Sequence, residues 1–398
     1  MTSSTVAPPF EGRQFQRLTG RYAAGRPGPT VIVLAGIHGN EPAGVAAQQR
    51  VLRRLRDERA PLRGELVALA GNLGALRQGE RYLRRDLNRQ WTAAQVASLR
   101  EQPRVDDAEE DIEQRELLEQ FDAIVDQAQG PVLFLDLHTS SADGSPFVCL
   151  GDTLPNRDIA LQLPIPVILG LEETIDGAVL EYFDERGLAG LAVEGGRHQA
   201  PTTVDNLEAA AWLVLVASGA LPESAVTDIE RHRATLVRAA QGAPPVVEIR
   251  YHHRIAPVDE FRMQPGYEGF QPVQRGELLA SDQHGDVRAP ETGRMLLPLY
   301  QGLGEDGFFL CRDVKPFWLG VARFMRKAHL HVLLPMLPGV RRHPDRRDAL
   351  IANPRIARWL ARELFHLLGY RHCRPEAGRF VFTRRRVAPK TWRLPWRD

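Results

Sequence analysis

The chain has 398 residues, 43% hydrophobic and 25% charged, with a formal net charge of +1; these are the proportions of an ordinary soluble globular protein, too long for one small core. It contains no run of eighteen apolar residues and opens on MTSSTVAPPFEGR without an apolar leader, so the expectation is a cytoplasmic chain with no transmembrane segment. Cys149, Cys311 and Cys373 are far apart, odd in number and in no C-x-x-C spacing, so neither a disulfide framework nor a thiolate zinc site is indicated. The near-zero charge conceals an asymmetry: residues 321–398 hold 19 Arg or Lys against 5 Asp or Glu, leaving 32 against 45 in the rest.

In chain order, residues 9–20 are expected to form an edge strand. Val31 to Glu41 (VIVLAGIHGNE) then reads as a buried strand ending in a glycine turn, a layout that delivers His38 and Glu41 to the carboxyl end of the strand. Imidazole and carboxylate both suit a borderline divalent cation, and a catalytic zinc site needs three such ligands. The same two residues also fit a turn-capping histidine and a solvated glutamate, so a third ligand on another strand end is required. Pro42 marks a helix start, with Val45, Val51, Leu52 and Leu55 as an apolar stripe ending near Arg59, and Gly64 to Gly71 is the next strand.

Arg77 to Trp91 (RQGERYLRRDLNRQW) is arginine-dense; it reads either as a solvated loop or as guanidinium groups aimed at an anionic substrate. A helix from Asp106 towards Gly130 follows, acidic on its exposed face. Val132 to Asp136 is a second buried strand, and it leads into His138; Asp136, two residues earlier on the same strand face, is placed to orient that imidazole. Gly190 to Val193 ends in Glu194, a carboxylate at a third strand end and a candidate base. Helices over Thr203–Gly219 and Ser224–Gln241 close this α/β layer arrangement, whose ligands lie where open α/β sheets place their sites. Past Gly242-Ala243-Pro244-Pro245 and through about Leu319, short apolar runs broken by Gly and Pro predict a separate, small β-rich domain.

GIHGNE, RYLRRDLNR, DLHTS and VEGG, in this order, resemble the aspartoacylase and succinylglutamate desuccinylase family, relatives of the zinc carboxypeptidases. The resemblance covers roughly residues 10–320. It implies an α/β fold with a zinc carboxypeptidase-like mixed central sheet flanked by helices, and a smaller C-terminal β-domain covering the active-site mouth. The expected division is a catalytic domain over 1–243, the β-domain over 244–320 and a basic tail over 321–398. Carried over motif by motif, the resemblance implies one Zn²⁺ per chain held by His38, Glu41 and His138, Glu194 as general base and acid, and Arg81 polarising the scissile carbonyl. Asn88 and Arg89 would grip a substrate carboxylate. Arg197 and His198, which follow VEGG, depart from the family pattern and offer either a substrate contact, the reading taken for Arg197, or a helix cap; Tyr300 is the candidate β-domain residue that reaches into the pocket. The implied reaction is removal of an acetyl, succinyl or similar group from an N-acyl amino acid.

Two other readings compete. A zinc carboxypeptidase acting on short peptides would share zinc, base and arginine. The basic tail offers either a nucleic-acid or anionic-surface module or a segment docked on its own acidic body. Its strongest element is a helix from Asn353 to Gly369 with Pro354 at its first position, Ile356, Trp359, Leu360 and Leu364 on one face, and Arg355, Arg358 and Arg362 on the other. A homo-oligomer is compatible with all of these.

Overall fold

Val31 to Ala35 and Leu133 to Leu137 are buried on both sides, and the alternation of their side chains divides the interior into two cores. Odd-numbered positions such as Val31, Val33, Leu135 and Leu137 pack on one face, while Ile32, Leu34, Phe134 and their neighbours pack on the other. The computed structural model describes residues 14–346, 348–353, 361–370, 372–376 and 379–385. The chain begins with β1 (Leu18–Ala23) and β2 (Arg26–Ala35), α1 (Ala43–Asp57), β3 (Arg63–Ala70), α2 (Leu73–Gln78), α3 (Ala93–Glu101) and α4 (Glu109–Gln127). It continues through β4 (Val132–Ser140), β5 (Phe147–Leu150), α5 (Leu154–Ala160), β6 (Val167–Leu169), α6 (Val179–Glu185), β7 (Ala189–Arg197), α7 (Thr203–Ala217) and α8 (Ile229–Ala239).

Residues 246–313 add β8 (Val246–Arg254), β9 (Arg262–Met263), β10 (Pro272–Val273), β11 (Leu278–Asp282), β12 (Gly285–Arg288), β13 (Gly293–Leu296) and β14 (Asp306–Asp313). The central sheet has eleven strands in the order β1-β3-β2-β4-β7-β5-β6-β8-β14-β13-β10. β3, β2, β4 and β7 run parallel, β5 runs against β7, and β14 runs against β8, which makes the sheet mixed. α1 and α7 cover the odd face, α4 and α6 the other. The β-rich stretch is thus joined to the central sheet: β8 pairs with β6, and only β9, β11 and β12 form a separate three-stranded sheet.

The first edge strand lies at Leu18–Ala23, C-terminal to most of the expected span, where it pairs with β3. The helix expected from Ser224 is interrupted, since Val226 is extended (φ −108°, ψ 96°) between a short 3₁₀ turn and α8.

The basic segment builds its own small layer of α9 (Pro316–Lys327), β15 (Val340–Arg342), β16 (Ala349–Ala352), α10 (Ala361–Leu367), β17 (His372–Glu376) and β18 (Arg379–Thr383). Its four strands lie in the order β15-β16-β18-β17 around Leu334, Leu350, Phe365 and Phe382. Of the helix expected over Asn353–Gly369, only Ala361–Leu367 is described as helix; Pro354, Arg355, Ile356, Arg358, Trp359 and Leu360 lie outside the described residues. Arg326 bonds both carboxylate oxygens of Asp152 (3.2 and 2.8 Å), Arg385 pairs with Glu173 (3.2 Å) and Asp184, and His366 Nδ1 lies 2.8 Å from Glu248. All four acidic partners belong to the body. Among the described residues no helix is long and apolar enough to cross a membrane.

Candidate metal centre and substrate cleft

The loop after β2 owes its shape to two glycines. Gly36 sits at φ +72°, a left-handed conformation open to glycine at little cost, and a Cβ on Gly39 would fall 2.0 Å from the Ala75 carbonyl carbon. The loop can therefore turn sharply and lie against α2, which carries His38 and Glu41 under the sheet edge. His138 comes from β4 and faces Glu194 of β7 directly in the parallel register. Asp136, His138, Ala192 and Glu194 share strand parity and so project to one side of the sheet.

His38, Glu41 and His138 are buried, and their ligand atoms all lie within 4.8 Å of one another. Glu41 bridges the two imidazoles, with Oε1 2.9 Å from His38 Nδ1 and Oε2 3.2 Å from His138 Nδ1. The opposite ring nitrogens point to other carboxylates: His38 Nε2 lies 3.1 Å from Asp86 Oδ1 and His138 Nε2 lies 2.8 Å from Asp136 Oδ2. A carboxylate on Nε2 holds the proton there, leaving each Nδ1 lone pair turned towards the centre. This donor set, two imidazoles and one carboxylate with both rings oriented from behind, fits a zinc ion. Burial opposes ionisation of Glu41, yet His38 and His138, when both nitrogens of each ring carry protons, hold its carboxyl well below the usual carboxylate range; a bound cation would take the place of the two Nδ1 protons.

Arg81 donates from Nε and one terminal nitrogen to Asp86 Oδ2 (3.2 and 2.9 Å), and its other terminal nitrogen stands 3.8 Å from Glu41. Glu194 Oε2 is buried without a hydrogen-bond partner. Burial pushes its carboxyl up to about 7, with His138 opposing the shift and Glu41 adding to it. Asn88 Oδ1 accepts from the Val179 N–H at 2.8 Å, which orients the side chain and leaves its amide NH₂ to donate to a substrate carboxylate. Arg89 is ion-paired with Asp306, whose other oxygen lies 2.8 Å from His252 Nε2. Arg81, Asn88, Arg89, Glu194 and Asp306 line one cleft of about 120 Å³ that also includes Cys149, Glu172, His198 and Gln301.

Two expected substrate contacts are not brought to the cleft. Arg197 is exposed and bonds Asp143 at 3.1 Å, and the Tyr300 hydroxyl donates to the Gln264 carbonyl at 2.9 Å on the outer surface. In each case the next residue lines the cleft instead. His198 is hydrogen-bonded to Thr139 Oγ1 at 2.6 Å, and Gln301 accepts from Asn40 at 3.0 Å. Asp86, Asp306 and Glu172 also carry parts of the site that the sequence reading did not assign; the only signal for Asp86 was an acid set among arginines.

A mixed α/β sheet with a buried His-Glu-His group at its strand ends is the arrangement of an α/β protein that could hold a metal ion. Residues 27–163 match the sequence profile of the succinylglutamate desuccinylase/aspartoacylase catalytic domain. Succinylglutamate desuccinylase of Burkholderia thailandensis is 36% identical over 113 residues, 28% of this chain and 31% of the relative. This chain thus matches about a third of the length of that curated relative. Among solved structures, succinylglutamate desuccinylase/aspartoacylase from Rhodobacter sphaeroides aligns with a TM-score of 0.53 at 18% identity over 73% of this chain and 87% of the other. Succinylglutamate desuccinylase from Vibrio cholerae gives 0.53 at 16% identity over 74% and 83%. Both likenesses are of fold. Through residues 27–163, the segment that carries its candidate metal ligands, the chain resembles the catalytic domain of the succinylglutamate desuccinylase/aspartoacylase family.

Proposed function

We propose that the protein is a zinc-dependent amidohydrolase that removes a small acyl group, acetyl, succinyl or similar, from an N-acyl amino acid. The observation that carries this reading is the convergence of His38, Glu41 and His138 beside the unpartnered carboxylate oxygen of Glu194. Zn²⁺ held by the three side chains would supply a Lewis acid and acidify its water to a pKa of about 7.

The chain's own groups supply the rest. Glu194 Oε2 takes the proton of the attacking water and returns it to the leaving amine nitrogen, a role that one unpartnered carboxylate oxygen can fill in both directions. Asp86 and Asp136 fix the two imidazoles from behind. Asp86 also holds Arg81, which keeps a guanidinium where the carbonyl oxygen gains negative charge; losing one such donor commonly costs about 3 kcal/mol of barrier. Asn88 and Arg89 position a substrate carboxylate, with Asp306 competing for the guanidinium. The narrow cleft supports a small acyl amino acid over a peptide C-terminus. The residues 297–306 that wall it, Asp306 and Gln301 among them, come from the β-rich stretch we assign to 244–320.

Metal analysis of the purified chain together with a panel of N-acyl amino acids tests this reading. Near-stoichiometric zinc and release of free amino acid are expected. Zinc-free protein, or cleavage of dipeptides in preference to acyl amino acids, would overturn it. Arg81→Ala should lower kcat, since it removes a contact that strengthens in the transition state, whereas Arg89→Ala should mainly raise KM.

A further inference from the structure

The cleft contains more charge than the reaction above uses. Its two arginines are already matched, Arg81 by Asp86 and Arg89 by Asp306, and Glu41 is bracketed by the two histidines. Glu194 is the proposed base. Glu172 remains. It is 8% exposed, it lines the cleft, and its Oε2 is buried without a hydrogen-bond partner. The nearby guanidinium, Arg385 of the basic segment, is spent behind it on Glu173, Asp184 and the backbone oxygen of Glu172 itself. A buried carboxylate oxygen with no partner is costly unless something completes it.

The position of Glu172 says what that is. It follows β6 in a segment laid along the Asn88–Trp91 turn: Val179 N–H bonds Asn88 Oδ1 (2.8 Å) and Trp91 N–H bonds the Gly177 carbonyl (3.0 Å). Glu172 and the Asn88–Arg89 pair therefore belong to one continuous wall, and the Cys149 thiol feels both Glu172 and Glu194. We infer that Glu172 selects a substrate with a second, protonated nitrogen, so that the amine half is a diamino acid whose carboxylate meets Asn88 and Arg89 and whose ammonium meets Glu172. This rests on the deacylase reading. Without a cation in the cleft, burial pushes the Glu172 carboxyl up to about 8 against the opposing effect of Arg385, so an arriving ammonium would displace a proton. The competing use of a neutral Glu172, donating to a substrate carbonyl, predicts no preference for charge.

The test compares zinc-loaded wild type and Glu172→Gln on Nα-acetyl and Nω-acetyl forms of ornithine and 2,4-diaminobutyrate against N-acetylnorvaline and N-acetyl-2-aminobutyrate. Wild type should favour at least one acetyl-diamino series by about 10- to 100-fold in kcat/KM, the worth of a hydrogen bond to a charged group, and Glu172→Gln should reduce that ratio to near unity. Equal hydrolysis of charged and neutral substrates by wild type would overturn the inference and leave the deacylase reading standing. If no amide is cleaved, the deacylase reading falls, and equilibrium binding of free ornithine and 2,4-diaminobutyrate against norvaline decides alone. Preferential diamine binding lost in Glu172→Gln supports the cation site; indifferent binding overturns it.

Discussion

Two regions of this molecule are built from the same material, carboxylates taken out of water, and differ in the cations set against them. At the strand ends Glu41, Asp86 and Asp136 face histidines; at the junction with the basic segment Asp152, Glu173 and Asp184 face Arg326 and Arg385. An imidazole has two nitrogens, so a carboxylate on one leaves the other to bind something else. A guanidinium has donors only and no lone pair to offer. Histidine therefore makes a site of buried acid, and arginine makes a lock of it.

The sharpest break of that comparison is chemical. Glu194→Gln should keep zinc and fold but lose about 10²- to 10⁴-fold in kcat, because an amide cannot take the proton of water; turnover within about threefold of wild type would remove Glu194 from that role. His138→Ala should lose tight zinc as well, by metal analysis. At the lock, Arg385→Ala strands Glu173, and above about pH 7 Asp184 as well, without its cation and should cost about 3–5 kcal/mol in denaturant unfolding at about pH 8, with zinc content unchanged. A variant of wild-type stability would show that the basic segment does not hold the body.

The lock should also respond to pH. Burial, opposed by Arg385, raises the Asp184 carboxyl to about 7, so the folded chain holds a proton that the unfolded chain has released above about pH 4. The folded state binds more protons in that window, and stability should fall as pH rises from about 4 through 7, by roughly 2–4 kcal/mol. Asp184→Asn should flatten this dependence in thermal melts. The smallest effect expected is at the site's outer support: Asp86→Asn should weaken zinc binding by about 10- to 100-fold, since the amide no longer fixes the His38 tautomer.

The sequence made the ligand ends legible because buried parallel strands read as unbroken apolar runs and the ligands follow them within a few residues. Val31–Glu41 and Val132–His138 are of this kind, and the partnership of Asp136 with His138 follows from strand parity alone. Parity counted from Glu194 does not separate His198 from Arg197, because the register shifts between the His138–Glu194 and Ser140–Arg197 pairs. Nor does it separate Gln301 from Tyr300, since residues 297–305 lie between strands and have no period to count. Asp306 and Glu172 depend on which distant segments meet, and no local pattern records that. Nor did short β-rich runs reveal that β8 and β14 extend the central sheet.

That extension has a mechanical consequence. The loop walling the cleft with Gln301 and Asp306 hangs between β13 and β14, on the same hydrogen-bonded ladder that reaches β4 and β7 through β8, β6 and β5. The Asp306 end of that wall, paired with Arg254 of β8, cannot swing aside without unzipping strands. The cleft should behave as a fixed-bore sieve, screening molecules by width as they enter, with both fragments leaving by the route the intact molecule used.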